Sequence, residues 1–253
     1  IFGISYLLTK RSLKPAEESF ARQKAFISHA SHELKTPVAV IGANADLLLD
    51  GDVPITEEQR SRLNFIQDEV ARMGRLTSEL LYLATLDEAS RVDTKVTAQQ
   101  FNFSDAVESR LLGMEAMLFE RSLRLDLQIT PGLMVAGSRE QLLQLLNNLM
   151  ENAVSYAEAE SEIRFSLTGG SGRVVMAVTN SGESIAPEDT ERIFDRFYRA
   201  DAARDRSGAH YGLGLSIART IVEHHRGTIE CESTPSGETT FIVRLPAARQ
   251  TGT

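Results

Sequence analysis

Apolar residues recur at three- and four-residue intervals through most of residues 13–90, a period that predicts helix nearly throughout. The pattern breaks once, at LLLDGDVPITEEQ, where Gly51 and Pro54 end one helix and Thr56, followed by Glu57 and Glu58, starts the next. The expected element is a helical hairpin. Its second arm aligns Leu63, Ile66, Val70, Met73, Thr77, Leu80 and Ala84 on one seam, and its first arm aligns Ile27, Ala30, Leu34, Pro37, Ile41 and Leu48. Two helices with such seams bury too little alone. A dimeric antiparallel four-helix bundle is the expected completion, and a monomeric hairpin packed on the second half is the alternative.

After RVDTKVTAQQ, a polar and unpatterned linker at residues 91–100, the period shifts toward alternation. Strands are expected at 123–129, 162–167, 173–180, 227–233 and 239–246, and helices at 104–120, 138–157 and 213–226. Helices grouped with mainly antiparallel strands predict an α+β sandwich. The chain therefore divides into a stub (1–12), the hairpin (13–90), the linker (91–100), a second domain (101–248) and a tail (249–253).

Charge and composition narrow the picture. A formal net charge of −8 with scattered Lys and Arg leaves no electrostatic footprint for a polyanion, so no nucleic-acid partner is expected. The single Cys231 can neither pair within the chain nor complete a zinc site. At the N-terminus, eight mostly apolar residues run into Lys10 and Arg11. A membrane span needs about 20 such residues, so the stub reads as the cytoplasmic end of a helix that begins upstream.

Four stretches carry candidate chemistry. FISHASHELKTPVAVI (26–41) holds His29 and His32, and helical periodicity exposes both without choosing between them; Thr36 shares the outward face of His32. LLNNLMENAVSYA (145–157) puts Asn148 and Asn152 four apart on one helix face, where amide oxygens can hold a hydrated Mg²⁺. VTNSGESIAPED (178–189) ends a strand at Asn180, turns at Gly182 and opens a helix at Pro187. In GAHYGLGLSIARTIVEHH (208–225), Gly212 and Gly214 precede an amphipathic helix, whose free N-terminal amides favour anions. The Arg-rich RFYRADAARDR (196–206) lies between the last two.

In this order, SHELKTP, NNLMENA, NSGESI, RIFDRFYRAD and YGLGL resemble the phosphoacceptor box, Asn box, first Gly box, Phe box and second Gly box of bacterial two-component sensor histidine kinases. The resemblance covers about residues 15–246. It implies a dimeric helical hairpin followed by an α/β sandwich of the histidine kinase/Hsp90-like ATPase type. It also implies His32 as the phosphorylated imidazole and Glu33 as the adjacent carboxylate that fixes its tautomer, with Thr36 positioning water for dephosphorylation of the partner. ATP and Mg²⁺ are implied, with Mg²⁺ on Asn152, Asn148 near the phosphates, Tyr156 packing near the adenine and Asn180 reading its exocyclic amine. Gly182, Gly212, Leu213 and Gly214 complete the pocket, Phe194 and Phe197 anchor a lid, and Arg196 and Arg199 neutralise phosphate charge.

Three positions depart from the usual pattern. Asn180 stands where many relatives have Asp, Ser155 where they have Lys, and Ala209–His210 where paired glycines are usual. The implied function is autophosphorylation of His32 and transfer to an aspartate on the receiver domain of a response regulator, at the bacterial inner membrane. Two rivals remain in view: an ATP-hydrolysing protein of the same nucleotide fold, which would carry a Glu base where this chain has Asn148, and a scaffold without phosphotransfer.

Overall fold

The computed structural model describes residues 34–35, 38–49, 56–89, 99–200 and 211–248. His32, Glu33, Thr36, Pro37, Ala209 and His210 lie outside the described residues, as does the N-terminal stub. The chain divides into two units, Ile1–Glu88 and Ala89–Thr253.

In the first unit, helix α1 (residues 38–49) is followed by α2 (Glu57–Ala89). Thr56 starts α2 through a reciprocal cap: its backbone N–H donates to Gln59 Oε1 at 2.9 Å, and its Oγ1 accepts from the Gln59 N–H at 3.2 Å. Glu57 and Glu58 add favourable charge to that first turn. The α1 face covered within the hairpin is Val38–Gly42–Ala45: Val38 and Ala45 are buried, and a Cβ on Gly42 would stand 3.0 Å from Val70 Cγ1. The Gln67 amide donates to the Asp46 carboxylate from the facing helix.

The seam expected on α1 is not the face the hairpin covers. Leu34, Ile41 and Leu48 are 46, 50 and 55% exposed, and on α2 Ile66 and Met73 are 39 and 36% exposed. One partner helix can cover only one stripe of α1, and the small residues Gly42 and Ala45 provide the close one. The larger apolar residues face outward, while Thr77, Leu83, Ala84 and Leu86 are buried farther along α2.

The second unit is a five-stranded sheet in the order β2-β4-β5-β7-β6, formed by Arg124–Ile129, Glu162–Gly170, Arg173–Ser181, Glu238–Pro246 and Thr228–Ser233. The β2–β4 pair is parallel, and the others are antiparallel. Strand alternation sends Val174, Met176 and Val178 inward from β5, opposite Leu245, Val243 and Phe241 of β7. Against this layer lie α3 (Phe103–Leu112), α5 (Arg139–Tyr156) and α6 (Gly214–His224), whose buried residues include Leu111, Leu145, Leu149, Ile217 and Ile221.

Two details differ from the sequence reading. The helix expected over 104–120 is broken at Gly113, and α4 (Glu115–Glu120) follows as a separate turn-and-a-half. Gln99 and Gln100, assigned to the linker, open β1 (Gln99–Asn102), which pairs antiparallel with β3 (Met134–Gly137) as a separate two-stranded sheet. Among the described residues, no helix is long and apolar enough to cross a membrane.

Candidate active site

The period of α5 puts Gln144, Asn148, Asn152 and Tyr156 on one stripe, one turn apart. Asn148 is buried, and both ends of its amide are engaged: Nδ2 donates to the Gly214 carbonyl at 3.0 Å, and Oδ1 accepts from Gln144 Nε2 at 2.8 Å. Asn152 is half-buried, and its side-chain amide makes no hydrogen bond to another described residue. Tyr156 is half-buried at the end of the helix.

The period of β5 brings Asn180 to the same site. Continuing the inward series after Val178, it is 3% exposed and pairs across the sheet with buried Thr239. Its amide makes no hydrogen bond to another described residue and is left to meet a ligand. Gly182 then passes against the end of α5: a Cβ there would lie 2.2 Å from the Tyr156 carbonyl oxygen and 3.4 Å from Asn180 Nδ2. The Gly182 N–H donates to Gly237 O at 2.7 Å, and the Glu158 N–H to Ser181 O at 2.8 Å. These bonds hold Tyr156, Asn180 and Gly182 together.

Phe194 and Phe197 separate into two roles. Phe194 is buried edge-on against Phe241, with centroids 6.3 Å apart, whereas Phe197 is 59% exposed. Phe197 and Gly212 both have positive φ, +63° and +71°, and the Phe197 N–H donates to Gly212 O at 3.0 Å. A Cβ on Gly212 would stand 2.6 Å from Tyr198 O, so glycine is required there. Arg196, in the turn that follows Phe194, is exposed and Arg199 is half-buried, and residues 201–210 lie outside the described residues. The Arg192 guanidinium stacks 4.3 Å from the Tyr198 ring centroid, and the Tyr198 hydroxyl donates to Asp189.

The opening of α6 is built for close approach. Leu213 is fully buried and anchors the turn, and its carbonyl accepts from Ser216 Oγ at 2.8 Å. A Cβ on Gly214 would meet nothing within 4 Å, so this side of the first turn is open space. At the other end of α6, His225 bridges two helices. Its Nε2 accepts from the Ser138 N–H at 3.1 Å, and its Nδ1–H donates to Ile221 O at 2.8 Å. Burial, reinforced by His224, holds its pKa below the ordinary value of 6.5, so the ring is neutral and acts as a hydrogen-bond bridge. Burial and the neighbouring Glu232 push the Cys231 thiol up to about 12.

Sequence reasoning placed the Asn stripe, Asn180 and the two Gly boxes but missed Gln144 and Gly237. Gln144 was visible as the residue one turn before Asn148. Among the described residues, no three His, Cys, Asp or Glu side chains gather as a metal set, and the Asn152 amide is an oxygen donor on the α5 stripe that could hold a cation.

Residues 22–89 match the His Kinase A (phospho-acceptor) domain, and residues 137–249 match the histidine kinase-, DNA gyrase B- and HSP90-like ATPase domain. The chain is 35% identical over 229 residues to the sensor protein DltS of Streptococcus agalactiae serotype III (strain NEM316), covering 90% of this chain and 55% of that protein. It is 30% identical over 241 residues to the sensor protein SrrB of Staphylococcus aureus (strain NCTC 8325 / PS 47), covering 95% of this chain and 41% of that one. The chain thus spans about half the length of these relatives. Its fold is similar to full-length ShkA in complex with AMPPNP, with a TM-score of 0.69 at 20% identity, over 90% of this chain and 47% of that one. With both domains in this order, the chain belongs to the bacterial two-component sensor histidine kinases.

Proposed function

We propose that this chain is the catalytic part of an ATP-dependent protein-histidine kinase that phosphorylates its own His32 and passes the phosphoryl group to an aspartate of a response-regulator receiver domain. The observation that carries the reading is the placement of the Asn180 amide, on a buried residue and without a hydrogen bond to another described residue, at one site with the Asn152 stripe and the open first turn of α6. A base can hydrogen-bond at Asn180 beside Tyr156, and phosphates can meet the free N–H groups of Gly214 and its neighbours. The amide of Asn152 supplies an oxygen to Mg²⁺, which when bound neutralises phosphate charge. Arg196 and Arg199 sit on the approach to the lid and add positive charge.

In the transfer, the free imidazole nitrogen of His32 attacks the γ-phosphorus and the bond to the bridging oxygen breaks, leaving ADP. Glu33 accepts a hydrogen bond from the other ring nitrogen and steadies the tautomer. Thr36, four residues on in the sequence, orients water when phosphate is removed from the regulator. Asn148 argues against the hydrolase alternative, because a neutral amide with both ends engaged cannot serve as a base for water.

The outward seam of Leu34, Ile41, Leu48, Ile66 and Met73 supports a homodimer in which a second hairpin covers it. The apolar run before Lys10 and Arg11 supports attachment to a bacterial inner membrane, with the kinase on the cytoplasmic side. The segments 13–90 and 101–248 serve as phosphoacceptor and ATP-binding domains in this scheme. The test is Asn152→Ala: phosphate incorporation from Mg·ATP is lost while size-exclusion chromatography still shows a dimer. Full-rate labelling by this variant in Mg²⁺ would remove the metal assignment.

A further inference from the structure

The site contains a chain of hydrogen bonds whose polarity is fixed from one end. The Gly214 carbonyl can only accept, so the Asn148 group facing it at 3.0 Å is Nδ2. That leaves Oδ1, a pure acceptor, pointing toward Gln144. The Gln144 group meeting it at 2.8 Å must therefore be the donor Nε2. The orientation of both amides follows from the backbone carbonyl.

We propose that Gln144 is a positioning residue for nucleotide binding: its amide donor locks the Asn148 side chain so that Asn148 latches the first turn of α6 to α5. Asn148 is buried, and Gln144 is half-buried one turn back along the same stripe. Asn152, one turn forward, stands on the same rigid helix. The latch therefore sets the spacing between the metal-side amide and the phosphate-side N–H groups. Gly214 needs such a tie because no contact forms on the side where its Cβ would be, and the preceding Gly212 has the conformational freedom of a positive φ.

Replacing the donor has an asymmetric consequence. In Gln144→Met, a neutral change of similar length, Asn148 Oδ1 loses its donor and the amide is free to turn. In Gln144→Glu, the carboxylate can only accept, so Asn148 satisfies it by turning Nδ2 away from Gly214 and presenting oxygen to oxygen. Both changes leave the base end of the pocket, Asn180 with Gly182, untouched.

The proposal rests on the kinase reading, and the experiment separates the two. Titrate the full chain and each variant with Mg·ATP and with adenosine, and follow backbone hydrogen exchange over residues 212–218. Binding of ATP by the unaltered chain tests the function; the difference between it and the variants tests the latch. The expected result for Gln144→Met is an ATP dissociation constant raised several-fold, unchanged adenosine binding, and faster exchange confined to the start of α6. Gln144→Glu should show the same pattern more strongly, and thermal unfolding identifies any variant that has lost its fold. If Gln144→Met misfolds, Gln144→Glu decides alone. Unchanged ATP binding and unchanged exchange in a folded variant, or an equal loss for ATP and adenosine, would overturn the proposal.

Discussion

Placing one methyl group on Gly182 should cripple the nucleotide site without unfolding the protein. In Gly182→Ala the new Cβ falls 2.2 Å from the Tyr156 carbonyl oxygen, so the two must part by about 1.2 Å to reach the ordinary contact of 3.4 Å. Neither side yields freely. Gly182 is held by its N–H to Gly237 O at 2.7 Å, and the end of α5 is tied by the Glu158 N–H to Ser181 O at 2.8 Å. Overpacking of this kind costs about 1–3 kcal/mol. Loss of one backbone hydrogen bond adds about 1 kcal/mol. A total of roughly 2–4 kcal/mol leaves a domain of typical stability folded. It lowers Tm by about 5–15 °C for a unit of this size. The displaced groups are the ones that flank Asn180, so the ATP dissociation constant should rise at least tenfold. Calorimetric melting and ATP titration of the variant provide the assay. Wild-type melting together with wild-type affinity would refute the argument that Gly182 is needed for backbone contact.

Three other outcomes are expected. Ile41→Asp puts a charge on the half-exposed seam, and loss of an apolar side chain's burial is worth about 1.5–3 kcal/mol, so sedimentation should show the dimer dissociating at tenfold or higher concentration; an unchanged dimer would mean the seam is not the interface. Asn180→Asp should tighten ATP binding by about 1 kcal/mol through a charge-assisted bond to the exocyclic amine, and weaker binding by calorimetry would show a pocket built around the neutral amide. His225 has a folded pKa below its unfolded value, so the unfolded chain takes up the proton first as pH drops below about 6.5, and stability falls from there toward the folded pKa. The slope from this one group is at most about 1.4 kcal/mol per pH unit, and it should be absent in His225→Gln when denaturant midpoints are compared across that range.

The parts of the fold legible in the sequence were those in which one residue's environment repeats along an element. Val174, Met176 and Val178 announce β5 by alternation, and the same alternation carries Asn180 into the core. Thr56 announces α2 because its cap is local in sequence. The strands β1 and β3 gave no such signal: each has four residues, and their pairing joins Gln99 to Gly137 across 38 positions. Periodicity also found an apolar seam on α1 without saying which partner covers it. The hairpin covers Val38 and Ala45 instead, through the close approach at Gly42. At the site, residue types revealed Asn148 and Asn152, but the use of both ends of the Asn148 amide depends on Gly214, 66 residues away. His225 likewise reads as a helix-end residue, and only the fold shows that it reaches Ser138.

The claim at the centre of this account is that a single imidazole, His32, receives the γ-phosphoryl group of ATP. The most direct measurement is incubation of the full chain with γ-labelled ATP and Mg²⁺, followed by acid and base treatment of the labelled protein, for the unaltered chain, His32→Gln and His29→Gln. The account predicts a label lost in acid and kept in base, as for a phosphoramidate, absent from His32→Gln and retained in His29→Gln. A label that survives in His32→Gln and disappears in His29→Gln, or one stable to acid, would contradict it.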